Sequence, residues 1–403
     1  IRSNVDKSTG DVIRSYELDG VKVDEDYKRY YPYDTLASKV LGFTGGDNQG
    51  IIGLEVIYEE YLQGEAGTIL TVTDAKGVEL SEEGEERVEP VSGQDLYISL
   101  DMNIQSYATQ LALQTMETKE ADSVSILVMN PQNGEILAMV NVPEFNLNDP
   151  YTLPGGMDSG AFSEEKKQEL LNAMWRNGCI NDTYEPGSTA KPFTVAAALE
   201  SGAITGNETY NCEGYLHVGD HDIACHQTFG DGPLTVQQGV ERSCNVVLMN
   251  VAFALGKTEF VNYQHSFNFG LKTNIDLAGE ARTASMIYHE DNIGMTDLAT
   301  NSFGQSFNAT MIQMITGFCS LINGGYYYEP HIVDKITTAD GATIENIEPR
   351  VLKRTISQAT SDKVREYCNT VVSGEKGTGK TARPAGYMIG GKTGTAETSD
   401  QNT

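Results

Sequence analysis

The pattern of hydrophobic and polar residues changes near residue 100. Before it, glycine-punctuated segments such as Thr68–Asp74 alternate at the period of a β-strand, and Val12–Leu18 shows a similar strand-like pattern. After it, apolar residues recur at helical spacing, which predicts a helix over residues 104–118. We therefore predict a β-rich domain over residues 1–100 and a second domain over residues 101–403.

The second domain is predicted to mix helices and strands. Two apolar runs flank Asn133-Gly134, and this dipeptide between apolar segments is a strong signal of a β-hairpin. Further predicted elements are helices over residues 191–199, 246–255 and 311–321 and short strands over residues 325–329 and 387–389. This mixture predicts a fold of the α+β class.

The composition excludes several classes of protein. The chain has 28 Lys and Arg against 57 Asp and Glu, a net charge of −29, and no basic run. Such a charge repels phosphate backbones, so nucleic acid is not an expected partner. Six cysteines in 403 residues are too few for a disulfide scaffold.

One motif indicates a nucleotide site but lies in the wrong context. Residues Gly374–Thr381 fit the pattern G-x-x-x-x-G-K-[ST] of a phosphate-binding loop. Such a loop must open onto a helix, whereas Pro384 and Gly386 follow and disfavour one. We interpret the segment as a glycine-rich connection.

Three motifs in a fixed order predict a serine nucleophile site. They are Ser188-Thr-Ala-Lys191, Ser243-Cys-Asn245 and Lys392-Thr-Gly394. Each motif alone is weak evidence, since Ser163-Glu-Glu-Lys166 has the spacing of the first motif but lies in a strongly charged helix. The order of all three, together with their local context, predicts serine acyl transfer.

The context of Ser188 supports its role as the nucleophile. Pro186-Gly187 precedes it and an Ala-rich apolar helix follows, so Ser188 is predicted at a helix N-terminus, where negative charge is stabilised. Three-residue spacing puts the Lys191 amine on the same face, where it can accept the hydroxyl proton. The amine must be neutral, so we predict that burial and the charge of Lys392 lower its pKa.

The third motif is predicted to bind substrate. It lies on a segment that alternates like a strand, and its glycines allow a peptide backbone to approach and pair with it. Lys392 with Thr393, Gly394 and Thr395 is predicted to hold a substrate carboxylate. The N–H groups of Ser188 and Thr395 would form an oxyanion hole.

The sequence resembles the class B penicillin-binding proteins, the peptidoglycan transpeptidases, and most closely those of the Gram-positive division and sporulation type. The resemblance also includes other segments, namely Asp182–Pro192, Asn301–Gln305, Gly377–Gly379, Gly390–Glu397, Lys28–Pro32 and Gly53–Glu55. It implies a penicillin-binding/β-lactamase-like transpeptidase domain behind an N-terminal, dimerisation-like pedestal domain. That fold needs strands after the third motif, so we expect the C-terminal part of the domain to be missing from this sequence.

The resemblance also implies a reaction. Ser188 would attack the penultimate D-Ala carbonyl of a peptidoglycan stem peptide, and β-lactams would acylate the same residue. The implied roles are base for Lys191, proton relay for Ser243, amide binding for Asn245, and carboxylate binding for Lys392, Thr393 and Thr395. The chemistry would need no cofactor. The alternatives are a D,D-carboxypeptidase or β-lactamase, in which water replaces the acceptor amine, and a non-catalytic β-lactam sensor or division scaffold.

The resemblance further implies a location and partners. Such a protein would act at the extracytoplasmic face of the cell membrane, held by an N-terminal anchor that is missing from this sequence. A glycosyltransferase would be its partner in cell-wall synthesis.

A second cluster of candidate residues lies between the first two motifs. Residues 212–226 hold two Cys, three His and two Asp, and a hairpin turn at Gly219-Asp220 would bring Cys212 near Cys225. Thiolates and imidazoles suit tetrahedral zinc, so a structural Zn²⁺ would be held by Cys212, His221 and Cys225, with His226 or Asp220 as the fourth ligand. A Cys212–Cys225 disulfide and a cluster without function remain alternatives.

Overall fold

The computed structural model describes residues 5–18, 20–23, 28–71, 85–157 and 159–396. The elements before residue 100 are short: helices α1 (Lys7–Ser15), α2 (Ser38–Leu41), α3 (Gly53–Ile57) and α4 (Glu59–Leu62), and strands β1 (Thr68–Thr71), β2 (Glu85–Val88) and β3 (Asp95–Ile98). Strands β1 and β2 pair antiparallel. The described part of this region therefore contains more helix than its sequence pattern predicts.

The strand predicted near the N-terminus is wrong. Residues Lys7–Ser15 form α1, and an ion pair between Arg14 and Asp11 at 2.9 Å joins two turns of it. Val12 and Tyr16 lie four residues apart, a spacing that places both on one helix face. Of the segment 68–74, residues 68–71 form β1 and the remainder lies outside the described residues.

The rest of the chain alternates helices with short strands. The helices are α5 (Met102–Lys119), α6 (Glu164–Trp175), α7 (Gly178–Asn181), α8 (Lys191–Glu200), α9 (Val236–Glu241), α10 (Asn245–Leu255), α11 (Lys257–Ser266), α12 (Met295–Asn301), α13 (Met311–Ile322) and α14 (Gln358–Ser373). The strands are β4 (Val124–Met129), β5 (Ile136–Val142), β6 (Thr183–Tyr184), β7 (Thr209–Cys212), β8 (Tyr215–Val218), β9 (His221–Ala224), β10 (Gly232–Thr235), β11 (Ala309–Thr310), β12 (Tyr326–Tyr328), β13 (Val333–Thr337), β14 (Thr343–Asn346) and β15 (Val351–Arg354).

Most predicted elements of this region are confirmed. Helices α5, α8, α10 and α13 and strand β12 occupy the predicted segments, and β4 pairs with β5 around the predicted turn at Gly134. Helix α5 begins where Asp101 caps it, because Asp101 Oδ1 accepts the N–H groups of Asn103 and Ile104 at 2.8 and 3.0 Å.

One sheet and one carboxylate are among the contacts that join the two regions. Strand β13 pairs with β3 on one side and with β14 on the other. Asp276 accepts the N–H groups of Ile332 and Val333 at 2.8 and 2.9 Å and the hydroxyl of Tyr58 at 3.0 Å. The first region is therefore connected to the second by both backbone and side-chain hydrogen bonds.

Helix α8 runs through the main hydrophobic core. Every residue from Lys191 to Ala198 is buried, and the Phe193 ring makes edge contacts with Phe267 and Phe269. Helices α10 and α14 pack against α8. The core fixes α8 and so fixes the position of the turn that precedes it.

None of the helices in the described ranges has the length and apolar character needed to span a bilayer.

Candidate active site

Ser188 lies in a short turn that is held from two sides. The 3-10 turn Gly187–Ala190 runs directly into α8. Gly187 has a φ of 55° and donates its N–H to the Gly304 carbonyl at 2.9 Å. A Cβ at Gly187 would lie 2.5 Å from the Thr395 carbonyl oxygen, so glycine is needed for this approach. Ser188 is thereby fixed, partly exposed, at the start of α8.

Lys191 is a buried amine with three acceptors. Its side chain is 0% exposed at the N-terminus of α8. The Nζ atom donates to the Ser243 carbonyl at 2.5 Å, to Ser243 Oγ at 3.0 Å and to Asn245 Oδ1 at 2.8 Å. Burial, followed by the charge of Lys392, lowers the pKa of Lys191 to about 7. Near neutral pH this amine therefore exists to a large extent in the form that accepts a proton.

Ser243 connects two amines. It lies between α9 and α10, is buried, and has a φ of 58°, in the left-handed region that residues other than glycine seldom adopt. Its Oγ accepts Lys191 Nζ at 3.0 Å and Lys392 Nζ at 2.8 Å. Strained backbone of this kind concentrates at functional sites. A hydroxyl between two amines can pass a proton from one side of the site to the other.

The third motif reaches the site without forming a strand. The strand predicted over residues 387–389, and its continuation through Lys392, is wrong because residues 383–396 make no strand pairing with any described segment. Helix α14 holds the segment instead: the Gly391 N–H donates to the Cys368 carbonyl at 3.0 Å and Asn369 Nδ2 donates to the Ile389 carbonyl at 2.9 Å. Alternation alone does not form a strand without a neighbour to complete its hydrogen bonds.

Lys392 and the residues after it line the accessible side of the site. Burial lowers the pKa of Lys392 to about 8, and its Nζ also donates to the Thr393 carbonyl at 2.9 Å. The hydroxyls of Thr393 and Thr378 share a hydrogen bond of 2.8 Å. Residues 393–395 are exposed. A cation beside exposed hydroxyls is an arrangement that suits a carboxylate.

The structure brings four predicted residues into one hydrogen-bonded group beside the Ser188 turn: Lys191, Ser243, Asn245 and Lys392. Among the hydrogen bonds of the described residues, none joins Ser188 Oγ to Lys191, whose Nζ donates to Ser243 and Asn245 instead. The N–H groups of Ser188 and Thr395 likewise donate to no described residue. In free enzymes such contacts often form only when substrate binds.

Two further residues at the site are not among those predicted. Gly304 has a φ of 89°, and a Cβ there would lie 1.9 Å from the Gly187 carbonyl oxygen. Thr378 bonds the Thr393 hydroxyl from the glycine-rich segment that imitates a phosphate-binding loop. Both lie in segments that carry the family resemblance, but their contacts are long-range and no local pattern reveals them.

The second cluster differs from its predicted form. The hairpin is confirmed, with β8 paired to β9 and Val218 opposite His221. His221 is nonetheless wrong as a partner of Cys225, because it is exposed at the turn and four residues of extended strand span about 13 Å. Neither His221 nor Asp220 belongs to a described group of ligand atoms that could share one metal ion with the cysteines.

Three thiols meet behind the middle motif. Cys212, Cys225 and Cys244 are buried and have Sγ atoms within 4.8 Å of one another, and no disulfide joins them. Cys244, which sequence reasoning missed as part of this cluster, lies between Ser243 and Asn245. Its Sγ is 3.8 Å from that of Cys225, and His226 Nδ1 is also 3.8 Å from the Cys225 sulfur. The hairpin pattern predicted the first two thiols, whereas the third arrives from another element.

Most of the chain matches two known domain families. Residues 124–403 match the penicillin binding protein transpeptidase domain, and residues 1–98 match the penicillin-binding protein dimerisation domain. The chain is 35% identical over 388 residues to stage V sporulation protein D of Bacillus subtilis, which covers 96% of this chain and 57% of that protein. It is 27% identical over 397 residues to the probable peptidoglycan D,D-transpeptidase PenA of Neisseria meningitidis, with 98% and 62% covered. It thus spans roughly three fifths of the length of these relatives.

Solved structures show the same architecture. Penicillin binding protein 3 of Mycobacterium tuberculosis in its apo form superposes with a TM-score of 0.76 at 26% identity, covering 92% of this chain and 76% of that one. The same protein is known in complex with ampicillin, also with a TM-score of 0.76 at 26% identity, covering 91% and 75%. Penicillin binding protein 2X of Streptococcus thermophilus superposes with a TM-score of 0.74 at 26% identity, covering 92% and 54%.

Proposed function

This chain belongs to the class B penicillin-binding proteins, and we propose that it is a peptidoglycan D,D-transpeptidase that cross-links stem peptides through a serine acyl-enzyme. The observation that carries the proposal is the chain of hydrogen bonds from Lys191 through Ser243 to Lys392, next to a rigid turn that presents Ser188. This arrangement supplies a nucleophile, a base and a proton relay in one cleft.

The first step forms an ester. Ser188 Oγ attacks the carbonyl carbon of the penultimate D-Ala while Lys191 Nζ takes the hydroxyl proton. The N–H groups of Ser188 and Thr395 bind the oxygen that becomes negative. When the peptide C–N bond breaks, Ser243 Oγ gives its proton to the leaving amine of the terminal D-Ala and is reprotonated from Lys191. The lowered pKa of Lys191 suits both halves of this cycle.

The substrate is held on two sides. Lys392 with the hydroxyls of Thr393 and Thr395 binds the terminal carboxylate. Gly394 lets the motif lie close to the nucleophile turn, because a Cβ added at this position would lie only 2.8 Å from Thr189 Cγ2. Asn245 binds the substrate amide. Its Nδ2 donates to the Ala224 carbonyl at 3.1 Å, which fixes the amide group relative to the hairpin.

The second step distinguishes the proposed enzyme from its alternatives. An amine of a neighbouring stem peptide attacks the ester carbonyl and loses a proton to Lys191, which returns it to Ser188 Oγ as the ester C–O bond breaks. If water were the acceptor, the protein would be a D,D-carboxypeptidase or a β-lactamase. If the ester did not turn over, the protein would be a β-lactam sensor or a division scaffold.

β-Lactams are the inhibitors that we propose for this site. A β-lactam carries a strained amide carbonyl near a carboxylate, so its ring opening would leave an ester on Ser188 with the carboxylate near Lys392. Support comes from the ampicillin complex of the similar structure from Mycobacterium tuberculosis.

We propose that the enzyme works at the extracytoplasmic face of the cell membrane, held by a membrane anchor, with a glycosyltransferase as partner. The relative in Bacillus subtilis, named for sporulation, supports a role in wall synthesis during that process. The charge of −29 supports the absence of nucleic acid among its partners. Acyl transfer itself uses no cofactor in this proposal, and any zinc ion has a structural role.

The test is turnover of a D-Ala-D-Ala-terminated peptide with and without an acceptor amine. We expect D-Ala release and, when the amine is present, an amide product seen by mass spectrometry. Ser188→Ala should abolish both, whereas Ser163→Ala, at the exposed serine of the other S-x-x-K spacing, should leave them unchanged. Hydrolysis that ignores the amine would contradict transpeptidation, and absence of turnover in protein that β-lactams still acylate would favour the sensor.

A further inference from the structure

We propose that Cys212, Cys225 and Cys244 form a thiolate site for one zinc ion, with His226 as the fourth ligand. The three sulfurs come from separate elements: the end of β7, the residue after β9 and the N-cap of α10. Their exposed fractions are 1%, 2% and 0%. Three thiols from different elements meet at one buried point.

The spacing of the sulfurs fits a tetrahedral metal site. Zn–S bonds of about 2.3 Å at tetrahedral angles place two thiolate sulfurs about 3.8 Å apart. The Sγ atoms of Cys225 and Cys244 are 3.8 Å apart, and that of Cys212 lies within 4.8 Å of both. Small side-chain rotations therefore bring all three to bonding distance without moving the backbone.

The ligand chemistry selects zinc over hard cations. The described group contains only sulfur, and thiolates favour zinc over magnesium or calcium. A disulfide would use two of the three sulfurs and leave one thiol unpaired in the core, whereas a metal uses all three. The Asn245 N–H donates to Cys225 Sγ at 3.4 Å, a contact that favours negative charge on the sulfur.

His226 lies outside the described group of three sulfurs, so its side chain must turn toward them to act as the fourth ligand. Its ring is exposed, and its Nδ1 lies 3.8 Å from Cys225 Sγ. An imidazole at the surface side of three buried thiols lets the ion enter from solvent and then closes the site.

The site adjoins the residues proposed for acyl transfer. Cys244 lies in the backbone between Ser243 and Asn245, whose oxygens accept hydrogen bonds from Lys191. A bound ion would join β7, the hairpin and α10, and so fix this motif. We therefore expect metal removal to slow acylation, an expectation that rests on the proposed function, whereas metal binding itself does not.

The experiment is a cobalt titration of the whole chain, stripped of metal and kept reduced by a phosphine. We expect one Co²⁺ to bind and to give the visible absorption bands of tetrahedral geometry. A thiolate charge-transfer band should also appear, with an intensity that corresponds to three Co–S bonds. Added Zn²⁺ should displace the cobalt and remove both sets of bands. Zn²⁺ should also raise the thermal unfolding temperature. Because these readouts use the unaltered protein, they hold even if a variant fails to fold.

Variants then assign the ligands. Cys212→Ala, Cys225→Ala and Cys244→Ala should each lower the charge-transfer intensity, and Cys319→Ala, at a buried thiol outside the cluster, should leave it unchanged. His226→Ala should keep the charge-transfer band and weaken cobalt binding, because one of the four ligands is lost. Fully reduced protein that binds no cobalt, or bands that persist in folded Cys244→Ala, would overturn the proposal. Zinc binding without penicillin acylation would refute the proposed function and leave the metal site standing.

Discussion

At the residue scale, the site depends on two buried amines that share one hydroxyl. Lys191 is wholly buried, and Lys392 lies close enough to lower its pKa further. Ser243 Oγ lies within 3.0 Å of both amines. If both lysines were charged they would repel each other in a medium of low dielectric, so loss of one proton is favoured. Burial and charge together prepare Lys191 as a base.

The rate of acylation by penicillin should follow a bell-shaped pH curve. It should rise with pH through the Lys191 pKa of about 7, because the base must be neutral, and fall above the Lys392 pKa of about 8, because the carboxylate-binding cation is lost. Stopped-flow rates over this range measure both limbs. In Lys392→Met the alkaline limb should vanish. The acid limb should move to higher pH, because the charge of Lys392 no longer lowers the pKa of Lys191. An acid limb that stays in place would contradict this effect of Lys392 on Lys191.

Removal of the shared hydroxyl should slow acylation without unfolding the protein. Ser243→Ala removes the proton relay, and loss of such a group costs roughly 10²–10⁴-fold in rate. Ser266→Ala is the matched control, since Ser266 and Asn268 repeat the S-x-N spacing at the end of α11. The second-order rate constant and the unfolding temperature should be measured together. Equal rates for the two variants would show that Ser243 passes no proton.

Single residues were predictable where the chemistry is local. Ser188 and Lys191 lie three residues apart on either side of a helix start, so spacing and context identify them. Thr378 and Cys244 take part through contacts across 15 and 19 residues, with Thr393 and Cys225. Such contacts depend on how elements pack, and no pattern in the sequence records them.

At the element scale, the nucleophile turn is defined by close backbone contacts. Gly187 lies against the backbones of Gly304 and Thr395, and both approaches leave no room for a side chain. The turn is therefore fixed between the end of α12 and the third motif. This explains how a motif without strand pairing keeps its place in the site.

Gly187→Ala should disrupt the close contact between Gly187 and the Thr395 carbonyl, whereas Gly202→Ala should only strain the backbone. Both glycines have positive φ, 55° and 77°, but a Cβ at Gly187 meets the Thr395 carbonyl at 2.5 Å and one at Gly202 meets nothing within 4 Å. We expect acylation to fall at least roughly 10²-fold in the first variant, the effect of losing an oxyanion-hole donor. Gly202→Ala should retain the rate and lose about 1 kcal/mol of unfolding free energy. Similar rates in both would mean that the contact is dispensable.

Elements were predicted well where an apolar face is buried and poorly where it is not. Helices α8, α10 and α13 have mostly buried residues, and their spacing identified them. Helix α1 buries none of its residues, so its pattern resembled a strand. The segment 387–389 alternates correctly, but pairing requires a neighbour that its own residues do not specify.

At the scale of the whole molecule, the two regions are coupled through β13. This strand pairs with β3 of the first region. Asp276 accepts the N–H groups of Ile332 and Val333 at the start of β13. It also accepts the hydroxyl of Tyr58, which lies between α3 and α4. Buried N–H groups that lose their acceptor are costly. The connection between the regions therefore includes one carboxylate as well as the sheet.

Asp276→Ala should weaken the whole molecule more than Tyr58→Phe. The first leaves two backbone donors without an acceptor and should cost roughly 2–4 kcal/mol, and the second removes a single hydroxyl bond worth about 0.5–1.5 kcal/mol. Denaturant unfolding followed by fluorescence and circular dichroism measures both. If the two variants lost equal stability, the hydrogen bonds of Asp276 to the Ile332 and Val333 N–H groups would contribute nothing measurable.

The central claim is that Ser188 is an acylated nucleophile, and intact-mass spectrometry after incubation with a penicillin tests it most directly. The account predicts one covalent adduct on the wild type, located to Ser188 by peptide mapping, and none on Ser188→Ala. An adduct that persists on Ser188→Ala, or wild-type protein that stays unlabelled while its unfolding transition shows that it is folded, would contradict it.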